Sequence, residues 1–136
     1  MRVKIDLERL KQIAEITKPA RNGNGSWKSY AYIRHKDLLD KAADEYMNFL
    51  MDLIEDNIGP LGNNLIDITK ISLSRTATDL ISQILLPVDF LVFAPRVDDD
   101  LNNDECEIDE MNVLVDKETR LIQELNEQFN TYVGKE

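Results

Sequence analysis

The chain of 136 residues contains one cysteine, Cys106, and one histidine, His35. A single thiol excludes an internal disulfide and any zinc site built from several cysteines. With only one imidazole as well, most catalytic and metal-binding constellations are out of reach. No apolar run approaches the ~18–20 residues needed to cross a bilayer. The opening residues, MRVKIDLERLK, carry a charge every few positions and do not read as a signal peptide. There is no internal repeat, no G-x-S-x-G, and no G-x-x-x-x-G-K-[ST]. The reading is a single soluble, cytoplasmic, reduced domain spanning residues 1–136, with no cofactor. It is long enough to bury a core, and its apolar residues are spread along most of its length.

Charge is present in quantity, and it is uneven. The formal net charge is −10. Met1–Lys36 holds nine Lys or Arg against three acids, a balance of +6. Asp37–Glu136 holds seven against twenty-three, a balance of −16. The densest stretch is Asp98–Glu110, DDDLNNDECEIDE, in which eight of thirteen residues are acidic and none is basic. Such a run repels itself and stays solvated unless cations or a basic partner neutralise it. This acidity disfavours a broad nucleic-acid surface, because carboxylates and phosphates repel; a small basic face in the N-terminal third is the exception.

Periodicity supplies a coarse map. Asp6 to about Thr17 reads as a helix capped by Asp6, with Leu7, Leu10, Ile13 and Ala14 at helical spacing. Pro19 and the loop Asn22–Ser26 end it. Trp27–Ile33 alternates like a short strand. Asp37–Asn57 carries an apolar stripe that includes Leu39, Ala42, Tyr46, Phe49, Leu50 and Leu53, and Gly59-Pro60 closes that helix. Leu65–Leu73 fits strand or helix. Thr76–Leu85 reads as a helix with Thr76 as cap, stopped by Pro87. Val88–Val97 reads as a buried strand and Met111–Val115 as a second one, with the acidic run as their connection. Asp116 to about Tyr132 reads as a last helix. The expected fold is α+β: three to four helices on a small, mostly antiparallel sheet or hairpin. An all-α bundle with a long acidic loop is the alternative.

Two stretches carry candidate sites. The first is an acidic face made of Asp98, Asp99, Asp100, Asp104, Glu105, Glu107, Asp109 and Glu110, joined by the helix acids Asp40, Asp44, Asp52 and Glu55. Asp98, Asp100, Asn102, Asp104 and Asp109 fall on the first, third, fifth, seventh and twelfth positions of a calcium loop. Asn103 stands where that loop needs glycine, Glu105 where it needs an apolar residue, and Asp109 is shorter than the bidentate glutamate. The better reading is a surface that docks on the basic face of a partner protein. Closely spaced carboxylates also imitate the charge line of duplex DNA, about one charge per 1.7 Å. A plain solvated loop is the competing reading.

The second stretch interleaves Lys18, Arg21, Lys28, Arg34 and Lys36 with Trp27, Tyr30 and Tyr32, the pairing of cations and stacking rings used to hold single strands. Its competing reading is internal: the cations neutralise the protein's own acids and Trp27 packs inside. Tyr30-x-Tyr32 ahead of Lys36-Asp37-Leu38-Leu39 resembles a short stretch of phage single-strand annealing proteins. Nucleophilic chemistry would need His35 with Cys106 or with Ser26, Ser29, Ser72, Ser74 or Ser82, and no motif marks such a pair. Carboxylates around Cys106 would moreover raise its thiol pKa.

Together these features point to binding rather than catalysis. The leading expectation is an acidic interaction protein docking on the basic surface of a host or partner protein, in its sharpest form a phage-type DNA-mimic inhibitor of a nucleic-acid-binding protein. By size and composition, compact acidic chains without catalytic motifs are typical of such inhibitors. The alternatives are single-strand binding through residues 18–36, and an assembly factor, such as a homodimer, that associates through the apolar faces of its two long helices.

Overall fold

The structure is a computed structural model that describes residues 1–59, 66–111, 113 and 125–127. The fold is α+β. Its elements are β1 (Arg2–Lys4), α1 (Leu7–Ile16), α2 (Ala31–Arg34), α3 (Lys36–Asn57), β2 (Ile71–Leu73), α4 (Arg75–Ser82), α5 (Pro87–Phe93), β3 (Arg96–Val97) and β4 (Glu105–Ile108). The sheet order is β1-β4-β2-β3. β4 runs antiparallel to both of its neighbours, and β2 and β3 are parallel.

Local chemistry accounts for the helices. Asp6 caps α1, its carboxylate accepting from Arg9 N at 3.0 Å. The stripe on α3 is buried as its spacing predicts, with Leu39, Ala42, Tyr46, Phe49, Leu50, Leu53 and Ile54 inside. Gly59, at φ +126°, takes the chain out of α3 through a conformation that side chains resist. α1 packs on α3 and α4. Leu10, Ile13, Tyr46, Leu50, Ile54 and Ile81 form one core with Ile71, Leu73, Cys106 and Ile108 from the sheet. A smaller cluster of Ala20, Ala31 and Leu39 lies beside it, covered by Trp27 and Leu86.

Several local expectations are corrected. Trp27–Ile33 is not a strand: Trp27 forms an isolated bridge to Arg21, and the chain then turns into α2. The cap of α4 is Ser74, whose Oγ accepts from Ala77 N at 3.3 Å, and not Thr76. That helix ends at Ser82, before Pro87. Pro87 instead opens α5, where its fixed φ and missing N–H cost nothing. Val88–Val97 is therefore mostly exposed helix, with a two-residue strand only at Arg96–Val97. The second strand is Glu105–Ile108, inside the acidic run, and Glu110, Met111 and Val113 are helical. Four of the thirteen residues of the acidic run thus form an inner strand of the sheet rather than a hairpin loop. Leu65–Leu73 resolves from Ile68 onward into a 3-10 turn, whose cap is Asp67, followed by β2. The last predicted helix, 116–132, lies outside the described residues apart from 125–127, which are helical.

Among the described residues, no helix is long and apolar enough to cross a membrane. Nor does any group of three or more His, Cys, Asp or Glu there form a metal-binding cluster.

Candidate functional site

The structure divides the acidic run into two parts with different roles. In β4, Glu105 and Glu107 alternate with buried Cys106 and Ile108, a period-two pattern that puts the acids on the outer face of the sheet. There they meet cations of β1. The N-terminal ammonium group lies 2.8 Å from Glu107, and Arg2 lies 3.8 Å from Glu107 and 4.0 Å from Glu105. The register sets Arg2 directly across from Glu107. These two carboxylates are spent on holding an edge strand to the sheet.

Asp98–Asp104 is an ordered turn. Asp98 N donates to Leu73 O at 2.8 Å, and the Asp98 carboxylate accepts from Asp100 N at 3.0 Å. Leu101 is buried among the acids as an anchor. Asn103 ties the turn to the start of α4: its carbonyl accepts from Ser74 Oγ at 3.0 Å and its side-chain oxygen from Thr76 Oγ1 at 2.8 Å. Asp104 O accepts from Ile5 N at 2.8 Å. The carboxylates therefore stand beside the N-terminal end of α4, where the helix dipole favours negative charge. Arg75, in the first turn of α4, grips Asp99 with Nε at 2.9 Å and a terminal nitrogen at 3.3 Å. This contact raises the guanidinium pKa, first through the hydrogen bond and then through charge. Asp100 and Asp104 are exposed and have no cation within ion-pair distance among the described residues.

The remaining acids sit elsewhere. Asp109 is half-buried, its N–H donating to Lys70 O at 2.9 Å, and Glu110 is exposed at the start of a helical turn. Asp40, Asp44 and Glu55 are exposed on α3. Asp52, on the same helix, accepts from Arg9 at 2.7 Å, while the Arg9 guanidinium lies 5.7 Å over the Phe49 ring. The calcium spacing does not survive the fold, since β3 and β4 flank the segment where a calcium loop needs helices.

The basic-aromatic stretch also divides. Arg21 is a structural residue: it donates to Ala14 O at 2.9 Å, to Thr17 Oγ1 at 3.2 Å and to Gln83 Oε1 at 3.4 Å, closing the end of α1. Lys18 pairs with Glu15 at 3.8 Å, and Trp27 is half-buried on the smaller cluster. Lys28, Tyr30, Tyr32, Arg34 and Lys36 remain exposed. Tyr30 is held at φ +57° at the head of α2, a left-handed conformation that is uncommon for a bulky residue.

His35 and Cys106 are not brought together. Cys106 is sealed under the sheet, its Sγ reaching the Glu107 carbonyl at 3.8 Å, while His35 precedes α3 beside the smaller cluster. The thiol pKa is pushed up to about 12, by burial first and by Glu107 second. The Ser74 hydroxyl is engaged in capping, and that of Ser82 donates to Asp79 O.

No family model, curated protein or solved structure matches the chain.

Three features escaped the sequence reading. Arg21 looked like one cation among several. The alternation in ECEI, the signal for β4, was hidden by the density of acids around it. The exposed apolar surface of α5 had no sequence signal distinct from a buried strand.

Proposed function

We propose that this protein binds, through the turn Asp98–Asp104, a basic surface on a partner protein. The observation that carries the reading is the ordering of that turn. Leu101, Ser74, Thr76 and the Leu73 carbonyl hold it, so Asp99, Asp100 and Asp104 are displayed without the entropy cost of fixing a floppy loop on binding. Asp99 already pairs with an arginine. That ion pair is two-thirds exposed, so it is weak enough for a partner's cation to share or replace. The docking surface is narrower than the full run of acids, because Glu105, Glu107 and Asp52 are engaged with the protein's own cations. Where the partner's basic surface holds nucleic acid, the same contact competes with it, which is the DNA-mimic form of the proposal.

The test compares two variants of equal charge change. One carries Asp99→Asn, Asp100→Asn and Asp104→Asn; the other carries Asp40→Asn, Asp44→Asn and Glu55→Gln. Each is titrated by fluorescence anisotropy with a labelled Lys/Arg-rich peptide, and used to displace a duplex from a basic DNA-binding protein. The turn variant should lose about tenfold or more in affinity and flatten the salt dependence, while the helix variant stays near wild type. Equal losses in both would show that only net charge is being recognised, and the reading would fail.

A further inference from the structure

Residues 28–36, KSYAYIRHK, hold three Lys or Arg and no acid in a chain whose formal charge is −10. Elsewhere the fold puts cations to use: Arg2, Arg9, Lys18, Arg21 and Arg75 each have partners. Lys28, Arg34 and Lys36 are exposed, and none has an ion-pair partner among the described residues. Arg34 N donates to Tyr30 O at 2.9 Å and His35 N to Ala31 O at 2.8 Å, which closes one helical turn. Ala31 is buried beneath that turn, so Tyr30, Ile33 and Arg34 are neighbours on its outer side. Ile33 and Arg34 also line, with His35, Lys36, Asp37 and Leu38, an open hollow of about 390 Å³ where α2 gives way to α3. Asp37 is its one acid. The Tyr30 ring, the Arg34 guanidinium and Lys36 therefore adjoin one another. Tyr30 is 70% exposed, at a φ that a bulky residue resists and glycine takes freely. Tyr46 is the contrast, a buried ring whose hydroxyl is bonded within the fold. The patch is separate from the acidic turn. Its base is tied, through Lys28 N to Ala20 O and Arg21 to Gln83, to the end of α4, whereas the turn is tied to Ser74 at the start of that helix.

We infer that this patch binds single-stranded nucleic acid, with a base stacked on Tyr30 and the backbone phosphates following Lys28, Arg34 and Lys36. Charge and ring together decide the occupant. Cations that the fold leaves without acids call for an anion, and an exposed ring beside them calls for a flat face to cover it. An acidic peptide supplies the first and not the second. A duplex supplies phosphates but keeps its base faces stacked inside. An anionic membrane surface is broad, and it would meet the acidic remainder of the molecule as well as the patch. A single strand supplies charge and base faces along a narrow track, so its phosphates need not approach the rest of the acidic body.

The experiment is fluorescence anisotropy on the full chain with a labelled oligothymidylate of about ten nucleotides, within the span of known single-strand sites. The wild type should bind it at low salt, with log K falling against log salt at a slope of about −2, the value for three phosphates neutralised on a single strand. A duplex of the same length should bind about tenfold more weakly. Tyr30→Gly should lose about tenfold in affinity with an unchanged or higher unfolding temperature, because glycine suits that backbone. Arg34→Gln should weaken binding and reduce the slope by about 0.7. Lys41→Gln removes an equal charge from the groove between α1 and α3, away from the patch, and should bind like the wild type. The inference is overturned by a wild type that does not bind at low salt, by a duplex bound as tightly as the single strand, or by wild-type affinity in Tyr30→Gly. It is overturned equally by a loss in Lys41→Gln as large as in Arg34→Gln, or by poly-glutamate displacing the strand as readily as unlabelled oligothymidylate does.

Discussion

Arg21 is counted at first among the cations offered to a ligand, and it turns out to be a clamp. Its guanidinium bridges Ala14 O at the end of α1, the Thr17 hydroxyl and the side chain of Gln83 after α4. A lysine could not make three such contacts, because they need the planar fork of donors. Arg21→Ala should cost about 1.5–3 kcal/mol, the range for hydrogen bonds from a charged group. Arg21→Lys should recover only part of it, as read from urea unfolding midpoints; wild-type stability in Arg21→Ala would remove the clamp. Cys106 shows the reverse case, a residue with a reactive name and an inert setting. With its thiol pKa at about 12, chiefly through burial, the native thiol stays protonated where a free one ionises. An aromatic disulfide reagent at pH 8 should label the unfolded chain rapidly and the native protein only as fast as it opens. The stability linkage has the matching sign. Above its ordinary range the thiol loses its proton in the unfolded chain first, so stability falls as pH rises from about 9 towards 12. Labelling of the native protein at the unfolded rate would contradict the burial argument.

At the scale of elements, α1 and α3 were legible because nothing competed with their signal. A cap at Asp6 and an unbroken stripe from Leu39 to Ile54 have one solution in water. β4 was illegible because two rules met on the same residues. Dense acid says solvated loop, alternation says strand, and pairing with β1 and β2 on both sides decided for the strand. α5 failed differently. An apolar run between prolines fits a buried strand or a helix equally well, and hydrophobicity does not say whether burial happens within the chain. Of the candidate site, the acidity of the turn was legible in the sequence. Its rigidity was not, because that depends on Ser74 and Thr76, far away along the chain. α5 is fastened at its C-terminal end by the Tyr46 hydroxyl, on a ring whose burial keeps the phenol un-ionised well beyond its usual range. Tyr46→Phe removes that bond while keeping the ring in the core. It should cost about 0.5–1.5 kcal/mol and speed hydrogen exchange at the Ala94 amide, which bonds Phe90 O at 3.0 Å. Unaltered exchange at Ala94 would mean that Phe90 alone holds the helix down.

For the molecule as a whole, the distribution of charge sets stability and binding against each other. Acids that serve the fold have partners: Glu105 and Glu107 with Arg2, Asp52 with Arg9. Asp100 and Asp104 add negative charge to an already acidic body, and among the described residues neither carboxylate has an ion-pair partner. Residues kept against the interest of stability are the ones to suspect of a task. The triple variant Asp99→Asn, Asp100→Asn, Asp104→Asn relieves that repulsion and gives up one exposed ion pair, a loss of about 0–1 kcal/mol. Asp98 is left in place because its carboxylate shapes the turn. At low ionic strength the variant should therefore unfold at or above the wild-type temperature, and its advantage should shrink as salt screens the repulsion it removed. Binding should move the opposite way, falling in the variant where stability rises. Should thermal unfolding instead show the variant losing well over 1 kcal/mol at every salt concentration, the three carboxylates belong to the architecture of the turn, and the charge they display follows from folding rather than from recognition.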